Sequence, residues 1–216
     1  MRAPIPIEFP SEETAPVTKR HLETRTTLYL LFQEALPGAA VGSDQFLYWD
    51  AADPQKRLSP DVFLKRGAPN EIFDNWKIWE RGAPDLAIEI VSDTDRRESA
   101  WQEKLARYRA TGITEVVRFD AETPDRPLRI WDRIEGDLVE RSPQSPDFHE
   151  CTTLNLWWFI LPSPAGPMPR LARDREGTTL LPTPAEERIR LTAALQSSEA
   201  EIRRLRAELE KRGPTQ

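Results

Sequence analysis

At 216 residues the chain is long enough for one well-cored domain with appendages, yet only 38% of it is hydrophobic and 31% is charged, so part of it is expected to be helical or extended instead of packed. A net charge of −6 argues against nucleic-acid binding through a global basic field. The lone cysteine, Cys151, excludes an intramolecular disulfide framework, and with His21 and His149 it is too little for a structural zinc site.

Residues 1–16 hold four prolines without periodicity and are expected to form a flexible N-terminal arm. They lack a signal-peptide core, and no later stretch is long and apolar enough for a bilayer span, so a cytoplasmic protein is expected. Leu22, Leu28, Leu31, Phe32 and Leu36 predict an amphipathic helix over Thr18–Leu36, stopped by Pro37-Gly38. Short strand-like runs follow at Gln45–Trp49, Asp61–Leu64 and Phe73–Trp79, then a buried strand at Leu86–Val91. Ser99–Ala110 reads as a second helix and Glu115–Asp120 as the next strand, a succession that predicts a βαβ crossover with parallel pairing. Leu128–Ile134 and Leu138–Glu140 flank a Glu135-Gly136-Asp137 turn, and Leu171–Arg173 and Thr178–Leu181 flank Arg175-Glu176-Gly177 in the same way. Pro162–Pro169, with four prolines, reads as a connector.

The tail opens on a capping box, Thr183-Pro184-Ala185-Glu186. Leu191, Leu195, Ser198, Ile202, Leu205 and Leu209 then recur in steps of four and three, the seam of a coiled coil, with Glu201 and Arg206 beside it. Gly213-Pro214 closes the helix. The expected organisation is therefore an arm at 1–16, a main domain at 17–182 and a coiled-coil helix at 183–212, through which a homodimer would form.

One strand carries the chemistry. Leu86, Ile88 and Ile90 point to one face and Asp85, Ala87, Glu89 and Val91 to the other. A glutamate inside such a run is costly unless a cation or donor meets it. Asp61 opens another apolar strand, and Lys104 lies on the following helix with Tyr108 one turn on. Two strand carboxylates plus a lysine suggest a divalent-metal site for phosphodiester hydrolysis, with oxygen ligands that select Mg²⁺ or Mn²⁺. In this reading Asp61 and Glu89 hold the metal, Asp85 assists through a water, and Lys104 reaches the scissile phosphate. Asp61 and Asp85 each follow a proline, so turn chemistry at a strand entrance explains them equally well. His21 is left open between a site contact and a surface cap. Arg96, Arg97, Lys104, Arg107 and Arg109 are either a local basic track or a solvated helix face.

The ordered set Ser59-Pro60-Asp61, Pro84-Asp85-Leu86-Ala87-Ile88-Glu89-Ile90-Val91-Ser92, Glu103-Lys104-Leu105 with Tyr108, Gly112-Ile113-Thr114-Glu115 and Phe119-Asp120 resembles the putative restriction endonuclease family of the PD-(D/E)XK nuclease superfamily. The resemblance spans about residues 17–181. It implies an α/β, restriction-endonuclease-like mixed sheet flanked by helices, with Asp61 and Glu89 as metal ligands, an Mg²⁺-dependent endonuclease activity and DNA as substrate. The chain departs from the pattern in three places: Val91 stands where the superfamily lysine would be, which moves the basic role to Lys104; Ser92-Asp93-Thr94-Asp95 replaces Ser-Pro-Ser-Thr; and Val116-Val117 replaces an aromatic pair. The alternatives are a non-catalytic scaffold on the same fold, recruiting a partner through its coiled coil, and a phosphodiesterase directed at RNA or nucleotides.

Overall fold

A computed structural model describes residues 18–92, 96–142, 148–164 and 166–212. The expected N-terminal arm at 1–16 and the Gly213-Pro214 stop lie outside these residues. Helix α1 (Lys19–Ala35) starts where Thr18 accepts a hydrogen bond from the His21 amide, which satisfies one of the orphan donors of its first turn. Short strands β1 (Ala39–Gly42), β2 (Leu47–Tyr48) and β3 (Arg57–Leu58) lead to β4 (Val62–Arg66) and β5 (Trp76–Lys77). A single turn, α2 (Ile78–Arg81), precedes β6 (Leu86–Ile90), α3 (Glu98–Thr111) and β7 (Glu115–Phe119). Then come β8 (Leu128–Ile134), β9 (Asp137–Glu140), β10 (Phe148–Cys151), β11 (Leu156–Ser163), β12 (Gly166–Ala172) and the long helix α4 (Pro184–Arg212).

The described residues form a mixed six-stranded sheet in the order β1-β4-β6-β7-β8-β9. Its β6/β7 pair is parallel and is bridged by α3, as the strand–helix–strand reading predicts; the other neighbours are antiparallel. Strand alternation splits the core in two. Leu86, Ile88 and Ile90 pack with Leu28, Leu31 and Phe32 of α1, while Ala87 packs with Trp101, Leu105 and Tyr108 of α3. A β10-β11-β12 sheet adds Cys151, Trp158 and Leu171 on the α1 side; a small β3-β2-β5 sheet adds Leu47, Leu58 and Trp76 on the α3 side. Gly42 is required by close approach, because a Cβ there would sit 2.2 Å from the Phe63 ring.

Two expectations need correction. Pro162–Pro169 is no connector but the closed end of the β11/β12 hairpin, with Pro162 opposite Pro167 and Ile160 opposite Pro169. Facing prolines cannot exchange amide bonds, so they occupy a non-hydrogen-bonded pair; Pro169, two residues on, shares that parity. None of them removes a ladder bond. The Phe73–Trp79 run gives only the two-residue β5 and the turn α2, held by the Trp76 indole donating to the Gly82 carbonyl at 2.8 Å.

The chain divides into two compact units, residues 1–181 and 182–216. The second is α4 with its entrance. The capping box forms in both directions: the Glu186 amide donates to Thr183 Oγ1 at 3.3 Å and the Thr183 amide to Glu186 Oε2 at 2.8 Å. Leu191, Leu195, Ile202, Leu205 and Leu209 are exposed along it. Among the described residues no helix is long and apolar enough to cross a membrane.

Candidate active site

Asp61 immediately precedes β4, and Val62 pairs with Ile88, so continuing the antiparallel register sets Asp61 opposite Glu89. Both carboxylates are buried, at 7% and 4% exposure. Each oxygen has a donor. Asp61 Oδ2 accepts from the Ile90 amide at 2.7 Å, and Oδ1 lies 2.5 Å from His21 Nε2, its donor from α1. Glu89 Oε2 accepts from Lys104 Nζ at 2.6 Å and Oε1 from the Tyr108 hydroxyl. Lys104 and Tyr108 stand one turn apart on α3, so one helical face supplies both donors. The burial anticipated as too costly for a lone glutamate is thus compensated by a cation and a phenol.

Burial first, and the Asp61 charge in addition, push the Glu89 carboxyl up to about 7 against the opposing pull of Lys104. Tyr108 is raised well above an ordinary phenol by burial and by Glu89, so its hydroxyl stays a donor.

Asp85, expected to assist the pair, stands elsewhere. It precedes β6 at the end opposite Glu89, about 13 Å away at strand rise. There its carboxylate takes Lys65 Nζ at 3.0 Å and the Arg66 amide at 2.7 Å. It fastens β4 to β6 at their far end. The basic run divides as well: Lys104 turns to Glu89, whereas Arg109 turns to Asp137 at 2.6 Å. His21, left open by the sequence, is a direct partner of Asp61. Its Nδ1 is buried without a hydrogen-bond partner, and it borders a cavity of 180 Å³ shared with Ile90, Ser92 and Arg96. Nothing in the spacing of α1 marked that contact, because 40 residues separate the two side chains. Arg118 carries the same kind of signal, since an arginine inside Val116-Val117-Arg118-Phe119 is as anomalous as Glu89.

Among the described residues no three His, Cys, Asp or Glu side chains gather closely enough to hold a metal ion by themselves. Two buried carboxylates whose charges oppose one another still fit a hard cation. Mg²⁺ typically takes one or two carboxylates and fills its remaining positions with water and substrate phosphate oxygens. Zn²⁺, which favours nitrogen and sulfur, is a poorer match to this oxygen set. Cys151 takes no part: burial and Glu115 raise its thiol well above the ordinary value.

No curated protein matches the chain. Among solved structures it is similar to a putative nuclease belonging to DUF820 from Anabaena variabilis, at 13% identity and a TM-score of 0.44, over 69% of this chain and 74% of that one. The family model described as putative restriction endonuclease, Uma2, matches residues 11–126, a stretch that contains His21, Asp61, Glu89, Lys104 and Tyr108. By that match over more than half its length, the chain belongs to the putative restriction endonuclease family.

Proposed function

We propose that the protein is a divalent-metal-dependent endonuclease that hydrolyses phosphodiester bonds in DNA. The observation that carries this reading is the pair of facing, buried carboxylates, Asp61 and Glu89, with a lysine ammonium on one of them. Asp61 and Glu89 would hold Mg²⁺ or Mn²⁺. Such an ion, when bound, lowers the pKa of a coordinated water and neutralises charge on the phosphorane. The protein's own part is positioning. The Ile90 amide and His21 fix Asp61, and Tyr108 anchors one oxygen of Glu89 while leaving the other to Lys104. Lys104, with its side chain 26% exposed, can keep its ammonium between Glu89 and an incoming phosphate oxygen. That makes it the residue that stabilises the phosphorane, since Val91 supplies no charge.

The test is plasmid nicking. Purified protein is expected to cut with Mg²⁺ or Mn²⁺ and to be silent in EDTA. Asp61→Ala and Glu89→Ala are expected to abolish cutting, and Lys104→Ala to slow it about 10²- to 10³-fold with Mn²⁺ binding retained. Cleavage that survives Glu89→Ala would refute the assignment. A second reading, a non-catalytic scaffold on the same fold, draws on Val91 and on the want of a third metal-capable side chain among the described residues. Absence of both cleavage and Mn²⁺ binding would favour it. We further propose that α4 pairs with α4 of a second copy, on the strength of its exposed four-three leucine seam.

A further inference from the structure

The β6/β7 register sets Glu89 beside Arg118, and the β7/β8 register sets Arg118 beside Arg129. Directly adjacent residues of neighbouring strands share a face, so these three form a row across the sheet beneath α3. At about 4.8 Å per strand, Arg118 stands one step from Glu89 and Arg129 two. Arg118 is only 6% exposed, with its guanidinium 5.3 Å from the Trp101 ring. Arg129 lies over Trp131 at 4.9 Å, and the two tryptophans meet at 4.8 Å with their planes tilted by 49°. Arg96 and Arg126 complete a cavity of 370 Å³ whose acidic wall is Glu98 and Asp120.

Four arginines on one cavity are unexpected in a chain of net charge −6. Nearby carboxylates orient Arg126 and Arg129. Glu98 and Glu140 grip Arg129, and Glu140 also takes Arg126. Asp120 is occupied by the Glu122 amide and the Thr123 hydroxyl of its own turn. The cavity lining itself carries four guanidiniums and two carboxylates, and rings and ion pairs hold the planar forks of Arg118, Arg126 and Arg129 in place. The acid's neighbour on the sheet is therefore a rigid cationic pocket, one strand spacing from the carboxylate proposed to act on a phosphodiester.

We propose that this pocket is a phosphate subsite. It holds the backbone phosphate next to the scissile linkage in a nucleic-acid strand, with Arg118 at its floor and Arg96 and Arg126 at its mouth. The assignment rests on the nuclease reading and extends it to how the strand is gripped. It is tested without hydrolysis, by fluorescence anisotropy of a short labelled DNA oligonucleotide in EDTA across a salt series. Arg118→Gln, and separately the double variant Arg96→Gln/Arg126→Gln, are expected to bind roughly tenfold more weakly. Both are expected to lower the slope of log affinity against log salt by about one, because one phosphate contact is lost. If Arg118→Gln does not fold by circular dichroism, the double variant decides alone. A folded double variant with wild-type affinity and slope overturns the subsite, as does wild-type protein that binds no oligonucleotide. Inorganic phosphate binding as tightly as the oligonucleotide would put a free anion in the pocket and also overturn it. Arginine-dependent binding without any Mg²⁺-dependent cleavage would leave the pocket standing and remove the nuclease reading; cleavage with arginine-independent binding would do the reverse.

Discussion

Glu89 titrates in the range where cells live, and the sign of its effect is fixed by the direction of its shift. An acid whose carboxyl is held at about 7 in the fold but near 4.5 when unfolded prefers to be neutral in the native state. Glu89's contribution to the stability of the metal-free protein is therefore fully present at or below the unfolded value and is lost as pH rises from about 4.5 through 7, by at most about 3 kcal/mol. Glu89→Gln is expected to flatten that dependence and to leave the metal-free protein as stable or more stable at neutral pH. Urea unfolding in EDTA at several pH values measures it; a steep loss of stability at every pH would instead mark Glu89 as a fixed structural partner of Lys104. Glu115 provides the contrast. It is fully buried, accepts from the Thr153 amide at 2.8 Å and from the Thr152 hydroxyl, and faces Arg141 at 3.6 Å. It joins β7 to the turn after β10 and has no place in the candidate site. Glu115→Ala is expected to cost about 1–3 kcal/mol by leaving the buried Thr153 amide without its acceptor, while Arg141 keeps its ion pair with Asp132, read as a fall in thermal midpoint. Glu89 was legible in the sequence because burial makes a carboxylate in an apolar run conspicuous. The place of Asp85 was not legible there, because strand parity tells which face a side chain takes, but not how far along that face its partners are.

At the scale of elements, legibility followed locality. Helix α3, strand β7 and the β8/β9 hairpin carry their instructions within a few residues: Gly112 adopts a left-handed conformation at φ 81° to end α3, and Glu135 and Gly136 both take positive φ in the hairpin turn. The β10-β11-β12 sheet does not. Trp157-Trp158-Phe159-Ile160 lacks clean polar alternation, and its prolines look disruptive until their register is known. Helix α4 is the most local of all, with its start written in the capping box. Its apolar stripe is expected to drive self-association. Removing residues 183–216 should therefore reduce the mass measured by light scattering while circular dichroism shows the remaining domain folded; equal mass for both proteins would dispose of the α4 pairing.

For the whole molecule, the crossover β6–α3–β7 is the part most clearly foretold, and it carries the carboxylate, lysine and tyrosine together. Glu89 reaches Lys104 across 15 residues and Tyr108 across 19. Asp61 reaches the Ile90 amide across 29, and His21 reaches Asp61 across 40. Loop-closure entropy rises with the logarithm of that span, by roughly 0.9 kcal/mol between 15 and 40 residues. The site is thus assembled from a short-range half and a long-range half, and the two carry different kinetic weight. The first half can condense as soon as the crossover forms; the second must wait for β4 and α1 to dock on it. In a chevron experiment, Tyr108→Phe is expected to slow refolding, whereas Asp61→Asn chiefly speeds unfolding. The reverse partition would show that α1 and β4 come together before the crossover does. On this ordering the refolding chain holds Glu89, Lys104 and Tyr108 together before Asp61 has docked, so the paired carboxylates come into existence only when β4 joins the crossover.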